Sequence, residues 1–200
     1  MRWLWALAIT LLPALGWAQS YPATHSVTGV AADDVLNIRP TPGTSGTPIG
    51  ALAPHAVGVE VIRVTEDERW GLINAGEGSG WIAMRFLERD GVHEDFPIPA
   101  SCFGTEPFWT IDLDASGTVT VTSMDGDAIF MAVQTRLQAT GRLDRYSLVA
   151  SNPDMTLHAV IGRQSCNDGM SDREYGLSMD AVLHDPTGYR HWAGCCSLRN

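Results

Sequence analysis

Along this chain apolar positions recur with a period of two, in short runs bounded by Gly, Pro, Asn, Asp and Ser. That is the pattern of half-buried β-strands. After an apolar stretch opening at Val27 and Val30, Leu36 and Ile38 share one strand face while Asn37 and Arg39 take the other. The segment Pro40-Thr41-Pro42-Gly43-Thr44-Ser45-Gly46-Thr47-Pro48 cannot continue a central strand, because proline lacks a ladder donor; it reads as an exposed loop. Ile49 and Leu52 lead into residues 57–64, read as one strand with Val57, Val59 and Val61 on one face. The acidic turn Thr65-Glu66-Asp67-Glu68 leads to a strand over 69–73, and the turn Gly76-Glu77-Gly78 to another over 79–82. Hairpins at these turns predict a small barrel of about five or six strands.

Past residue 101 the alternation resumes. A segment opened by residues 102–109 leads into strands over 110–114, 118–122, 128–133, 146–150, 156–161, 175–183 and 191–196. Regular short strands of this kind predict an antiparallel barrel or sandwich. Neither half carries a long stretch of helical period, so the fold class is all-β. Between the halves, Glu88, Arg89, Asp90, Glu94 and Asp95 form a charged run and Pro97 and Pro99 stiffen its exit. Residues 91–100 therefore read as a linker joining domains 24–90 and 101–199.

The chain opens with Arg2, an apolar run from Trp3 to Leu15 and the small-residue ending Gly16-Trp17-Ala18. This is the form of a secretory signal peptide cleaved after Ala18, and the apolar core is short for a transmembrane helix; an uncleaved anchor is the competing reading. The protein is expected in the periplasm or secreted, with no stable membrane insertion after cleavage. Formal net charge is −10, from 13 basic residues, none of them lysine, against 23 acidic ones. Such acidity repels nucleic acid and anionic lipid, attracts a cationic envelope partner, and also serves plain solubility.

Two stretches carry family resemblances. Val35-Leu36-Asn37-Ile38-Arg39-Pro40 and Gly80-Trp81-Ile82-Ala83-Met84-Arg85-Phe86-Leu87 resemble the opening and closing motifs of bacterial SH3 (SH3b) domains, over residues 27–89. The resemblance implies a small barrel in which the loop after Arg39 and the turn before Trp70 flank a shallow groove. That groove would take peptidoglycan or another extended peptide, with Arg39, Trp70 and Trp81 as ligand-binding candidates. An indole offers flat contact area and a guanidinium can pair with a peptide carboxylate. A partly buried core place for either Trp, and a loop cap for Arg39, fit the same residues.

Gly104-Thr105-Glu106-Pro107-Phe108-Trp109, Cys166-Asn167-Asp168-Gly169-Met170-Ser171-Asp172-Arg173 and the late Gly194-Cys195 look like a functionally uncharacterised bacterial envelope domain family. Some of its members sit beside lysozyme-inhibitor modules. All four cysteines, Cys102, Cys166, Cys195 and Cys196, lie in this half, and in an oxidising compartment they read as two disulfides. A bridge between neighbours Cys195 and Cys196 would be strained, and the family phrases imply Cys166 with Cys195 and Cys102 with Cys196. Neighbouring strand residues face opposite ways, so the two bridges should leave the last strand in opposite directions.

The remaining candidate chemistry is thin. His184, His191, Cys195 and Cys196 have the right types for zinc, but adjacent cysteines are not the usual spaced pair and an exported setting favours oxidation. No Cys-x-x-Cys redox motif is present. Asp168 and Asp172 lack the alternating carboxylates and final Glu of an EF-hand, and the Asp-Gly pairs at 125–126 and 168–169 read as turns. Asp172-Arg173-Glu174 reads as a local ion pair. Glu106, beside Phe108 and Trp109, is a candidate acid without an identifiable second carboxylate. No Gly-x-Ser-x-Gly, His-Glu-x-x-His or phosphate loop occurs. The expectation is a non-catalytic envelope binding protein without metal or cofactor. The alternative is an inhibitor capturing a cationic wall hydrolase such as lysozyme.

Overall fold

The computed structural model describes residues 20–91, 96–124 and 126–199. The leader read over 1–18, positions 92–95 of the linker and Asp125 of the first Asp-Gly turn lie outside the described residues. No described helix is long and apolar enough to cross a membrane. The protein is all-β.

The first half contains β1 (Ala23–Val27), β2 (Leu36–Ile38), β3 (Gly50–Leu52), β4 (Val59–Val61), β5 (Arg63–Val64), β6 (Trp70–Ala75), β7 (Gly78–Ala83) and β8 (Leu87–Arg89). They form three small antiparallel sheets, ordered β4-β1-β8, β2-β3 and β5-β6-β7. An Arg39/Trp81 backbone bridge ties the end of β2 to β7. The sheets enclose a core of Val27, Leu36, Ile38, Val61, Ile73 and Ile82. The single strand read over 57–64 is corrected. Gly58 takes a positive φ of 65°, so the chain turns there and leaves Val57 69% exposed. The strand then breaks at Ile62, β4 pairing with β1 and β5 with β6. β1 itself escapes the apolar pattern because its buried positions include Thr24 and His25.

The second half comprises β9 (Ala100–Thr105), β10 (Phe108–Leu113), β11 (Thr118–Ser123), β12 (Ile129–Gln138), β13 (Arg145–Ser151), β14 (Thr156–Cys166), β15 (Tyr175–Asp185) and β16 (Gly188–Leu198). These close into an eight-stranded antiparallel barrel, because β16 returns to pair with β9. Residues 102–109, read as leading into one strand, fold instead as the β9/β10 hairpin turning at Glu106 and Pro107. Ile111, Leu148, Leu157, Ile161, Leu177, Met179 and Leu183 are buried in the interior at alternate positions. At about 25 cal/mol per Å² of apolar area, this packed interior dominates the barrel's stability. Phe96 and Ile98 of the linker's exit pack against the same core.

Both bridges are formed. Cys102 and Cys196 are directly opposite each other on β9 and β16, belong to the interior cluster and are joined by a disulfide. Cys195, on the other face of β16, is joined to Cys166 at the end of β14. The bridges therefore leave the last strand in opposite directions, as the pleat requires.

The halves are docked by the loop that carries the Cys-Asn-Asp-Gly-Met-Ser-Asp-Arg phrase. Asp172 N–H donates to Glu77 O at 3.1 Å and Arg173 Nε to Gly76 O at 2.7 Å. The Asn74 amide engages the Glu174 backbone at both ends, donating to its C=O at 2.8 Å and accepting its N–H at 3.1 Å. Arg63 meets the Glu174 carboxylate at 3.2 Å through two nitrogens. The local ion pair read for residues 172–174 is thus corrected: Arg173 and Glu174 reach across to the first half. Close by in the chain, Gly176 packs against Pro22, whose carbonyl accepts from Arg163 at 3.0 Å.

Candidate functional site

The surface offers two concavities relevant to binding. One is a groove of about 1010 Å³ beside Trp70, between Pro42, Gly43 and Thr44 of the proline-rich loop and residues 65–69 of the acidic turn. The turn is held rigid from within. Thr65 Oγ1 and Arg69 both donate to the Asp67 carboxylate, holding it down at about 2. Thr65 Oγ1 also accepts the Trp70 N–H at 3.2 Å, which fixes the start of β6. Trp70 is half-buried, so its indole forms part of the groove wall. Arg85, two residues beyond the Ala83 that pairs with Trp70, also lines the groove and is exposed; its guanidinium lies 4.6 Å from the Phe86 ring and it makes no ion pair with another described residue.

The three sequence candidates part company here. Trp70 lines the groove. Arg39 does not: its guanidinium donates to Gly46 O at 2.9 Å and so caps the loop that forms the other wall. Trp81 lies away from the groove with the Arg63 guanidinium 4.9 Å from its ring, in the chain of contacts that runs on to Glu174. Arg85 carried a signal, as part of the Gly-Trp-Ile-Ala-Met-Arg run, but its use depends on a short 3-10 turn at Met84–Phe86 that periodicity does not reveal.

The second concavity is a cleft of about 1000 Å³ between the halves. One wall comes from residues 56–60 with Leu52 and Ile73; the other comes from the β9/β10 hairpin, Met124 and the 168–173 loop. Gly104 and Gly194 shape this wall through Trp109. A methyl on Gly104 would stand 2.2 Å from Trp109 Nε1, and one on Gly194 would stand 2.0 Å from Phe103 O and 2.9 Å from Trp109 Cζ2. The two glycines, side by side on β9 and β16, thus make room for the Trp109 indole, which also stacks on Trp192 at 5.4 Å. Asp168 organises the loop: its carboxylate accepts from the Met170 and Ser171 N–H groups, Ser171 Oγ and Tyr175 Oη. Backbone donation from Ser171 chiefly lowers its pKa to about 2. Glu60, on β4, is half-buried at the meeting of the halves and accepts the Leu198 N–H at 2.9 Å. Burial pushes its carboxyl up to about 7 against the opposing pull of the Leu198 and Ser197 donors.

Other candidate chemistry is dispersed. With all four cysteines bridged, no thiolate is left to join His184 and His191, whose partners are the Tyr189 ring and Asp180. Among the described residues no group of three or more His, Cys, Asp or Glu side chains comes together around a cation-sized space. Glu106 stands exposed at the hairpin turn and has no hydrogen-bond or ion-pair partner among the described residues. The chain matches no family model, and no curated protein or solved structure shows significant similarity to it.

Proposed function

We propose that this is an exported, non-catalytic envelope binding protein whose SH3b-like first half takes an extended peptide, of peptidoglycan or of a protein, in the groove beside Trp70. The observation that carries this reading is that the Trp70 indole and Arg85, which has no ion-pair partner among the described residues, line the same open groove. An indole gives flat, rigid contact for a peptide backbone, and an unpaired guanidinium gives its carboxylate a bidentate partner. The loop capped by Arg39 supplies the opposite wall. Two disulfides support an oxidising, extracytoplasmic setting, the periplasm or the secreted fraction.

The test is co-sedimentation of the protein with purified peptidoglycan sacculi at moderate salt. Sedimentation that falls at least tenfold in Trp70→Ala and in Arg85→Ala supports the reading. Wild-type protein left in the supernatant refutes wall recognition. A second reading, capture of a cationic wall hydrolase, is favoured by the exposed acidic turn at 66–68. It predicts salt-sensitive binding to lysozyme that weakens when Glu66 and Glu68 are changed to Gln.

A further inference from the structure

Exposed large apolar side chains on a soluble protein are ordinarily scattered. Here Val57, Phe108, Met124 and Met170 are 69%, 47%, 73% and 67% exposed, and all four line the cleft between the halves. They come from four separate segments, one in the first half and three in the second, so no single strand pattern accounts for their convergence. The cleft's volume of about 1000 Å³ is at the upper end of ordinary small-ligand sites. It shares no lining residue with the Trp70 groove.

The charges around it are unequal. Arg173 is the lining cation, and it is committed to Gly76 O and to Glu77 at 3.7 Å. The Asp168 carboxylate is occupied by its own loop's donors. Glu60 has the Leu198 and Ser197 donors but no cation among the described residues. We propose that the cleft is a binding site for an apolar ligand carrying one ammonium group, the apolar body lying on Val57, Phe108, Met124 and Met170 and the ammonium pairing with Glu60. The direction of the Glu60 pKa agrees: burial disfavours the ionised carboxylate, and a bound cation would offset that cost. Acidic walls would repel an anionic ligand of the same length.

The experiment is calorimetric titration of the whole protein at pH 8 with decylammonium, 1-decanol and decanoate, each below its aggregation concentration. Decylammonium is expected to bind at least tenfold more tightly than either of the others. Glu60→Gln, which keeps an oxygen for the Leu198 N–H, should remove that advantage and leave decanol binding unchanged. Phe108→Ser with Met124→Ser changes only exposed apolar positions and should weaken decylammonium and decanol alike, at least fivefold. No binding of decylammonium, equal binding of decanoate, or binding indifferent to the Phe108 and Met124 changes would overturn the proposal.

Discussion

Replacing Gly104 by alanine sets a methyl group 2.2 Å from Trp109 Nε1, 2.6 Å from Cε2 and 3.0 Å from Cζ2, all atoms of one indole. That ring has little room to retreat, because it is buried in the barrel interior and Trp192 stacks on it. Overpacking of this kind costs about 1–3 kcal/mol. The structure also says what should relieve it. In a Trp109→Leu background the obstructing atoms are gone, so adding Gly104→Ala should cost less than about 0.5 kcal/mol, leaving a coupling of about 1–2 kcal/mol. Gly194→Ala is a contrasting control. Its nearest obstacle is the Phe103 carbonyl at 2.0 Å, which is backbone and stays in place when Trp109 is shortened. Its penalty should persist in the Trp109→Leu background. Urea unfolding followed by far-UV circular dichroism measures all six proteins. Equal costs for Gly104→Ala in the two backgrounds would refute this steric fit, as would rescue of Gly194→Ala by Trp109→Leu.

The two disulfides should differ in their contributions. Cys102 and Cys196, 94 residues apart and in the interior, close the larger loop, for which the chain-entropy estimate is about 4–5 kcal/mol. Cys166 and Cys195, 29 residues apart, close a loop with an estimate of about 3–4 kcal/mol. The double Cys→Ala variant of the first pair should therefore unfold at lower urea than that of the second; the reverse order would contradict the assignment of the inner bridge. Glu60 governs stability near neutrality. Its folded pKa of about 7 lies above the ordinary 4.5, so the folded state holds the proton more tightly. Stability is then fullest below pH 4.5 and falls as pH rises to 7, by about 3 kcal/mol at most. Asp67, Asp144 and Asp168, lowered to about 2, titrate below this window. Urea midpoints from pH 4.5 to 8 should decline in wild type and flatten in Glu60→Gln; parallel curves would show that Glu60 is not the titrating group.

What could be read in the sequence was whatever a strand's own alternation encodes. Leu177, Met179, Ala181 and Leu183 announce β15, and they line the barrel as their period demands. The sheet's closure was less legible, since pairing of β16 with β9 joins residues some ninety positions apart and only the cysteines hint at it. β1 was missed because its burial falls on Thr24 and His25, where composition looks polar. The run at 57–64 misled for the opposite reason: Val57, Val59 and Val61 alternate, yet the left-handed turn at Gly58 sets Val57 outside the strand and the break at Ile62 divides the rest between two sheets. Trp70 was legible as a groove candidate through the SH3b resemblance, which implies a groove between the loop after Arg39 and the turn before Trp70. Trp81 was not separable from it, since the Arg63 contact that occupies its face depends on docking with Glu174.

Docking also explains why the cleft had no sequence signature. Val57 and Glu60 belong to one half and Phe108, Met124 and Met170 to the other, and nothing in either half's periodicity requires them to meet. What makes them meet is the 172–174 loop, whose backbone is read by Asn74 as a neighbouring strand would read it. These bonds are largely backbone-directed and so hold position rather than merely attracting charge, whereas the Arg63/Glu174 pair, with side chains 51% and 40% exposed, contributes little by itself. The same loop is shaped from within by Asp168, and the facing wall is fitted around Trp109 by Gly104 and Gly194. The phrases at 104–109, 166–173 and 194–195 therefore encode a wall and a joint. A cleft whose two walls are each built locally and whose joint is specific is a pre-organised site, and pre-organisation is what lets exposed apolar groups bind a ligand without first paying to be ordered.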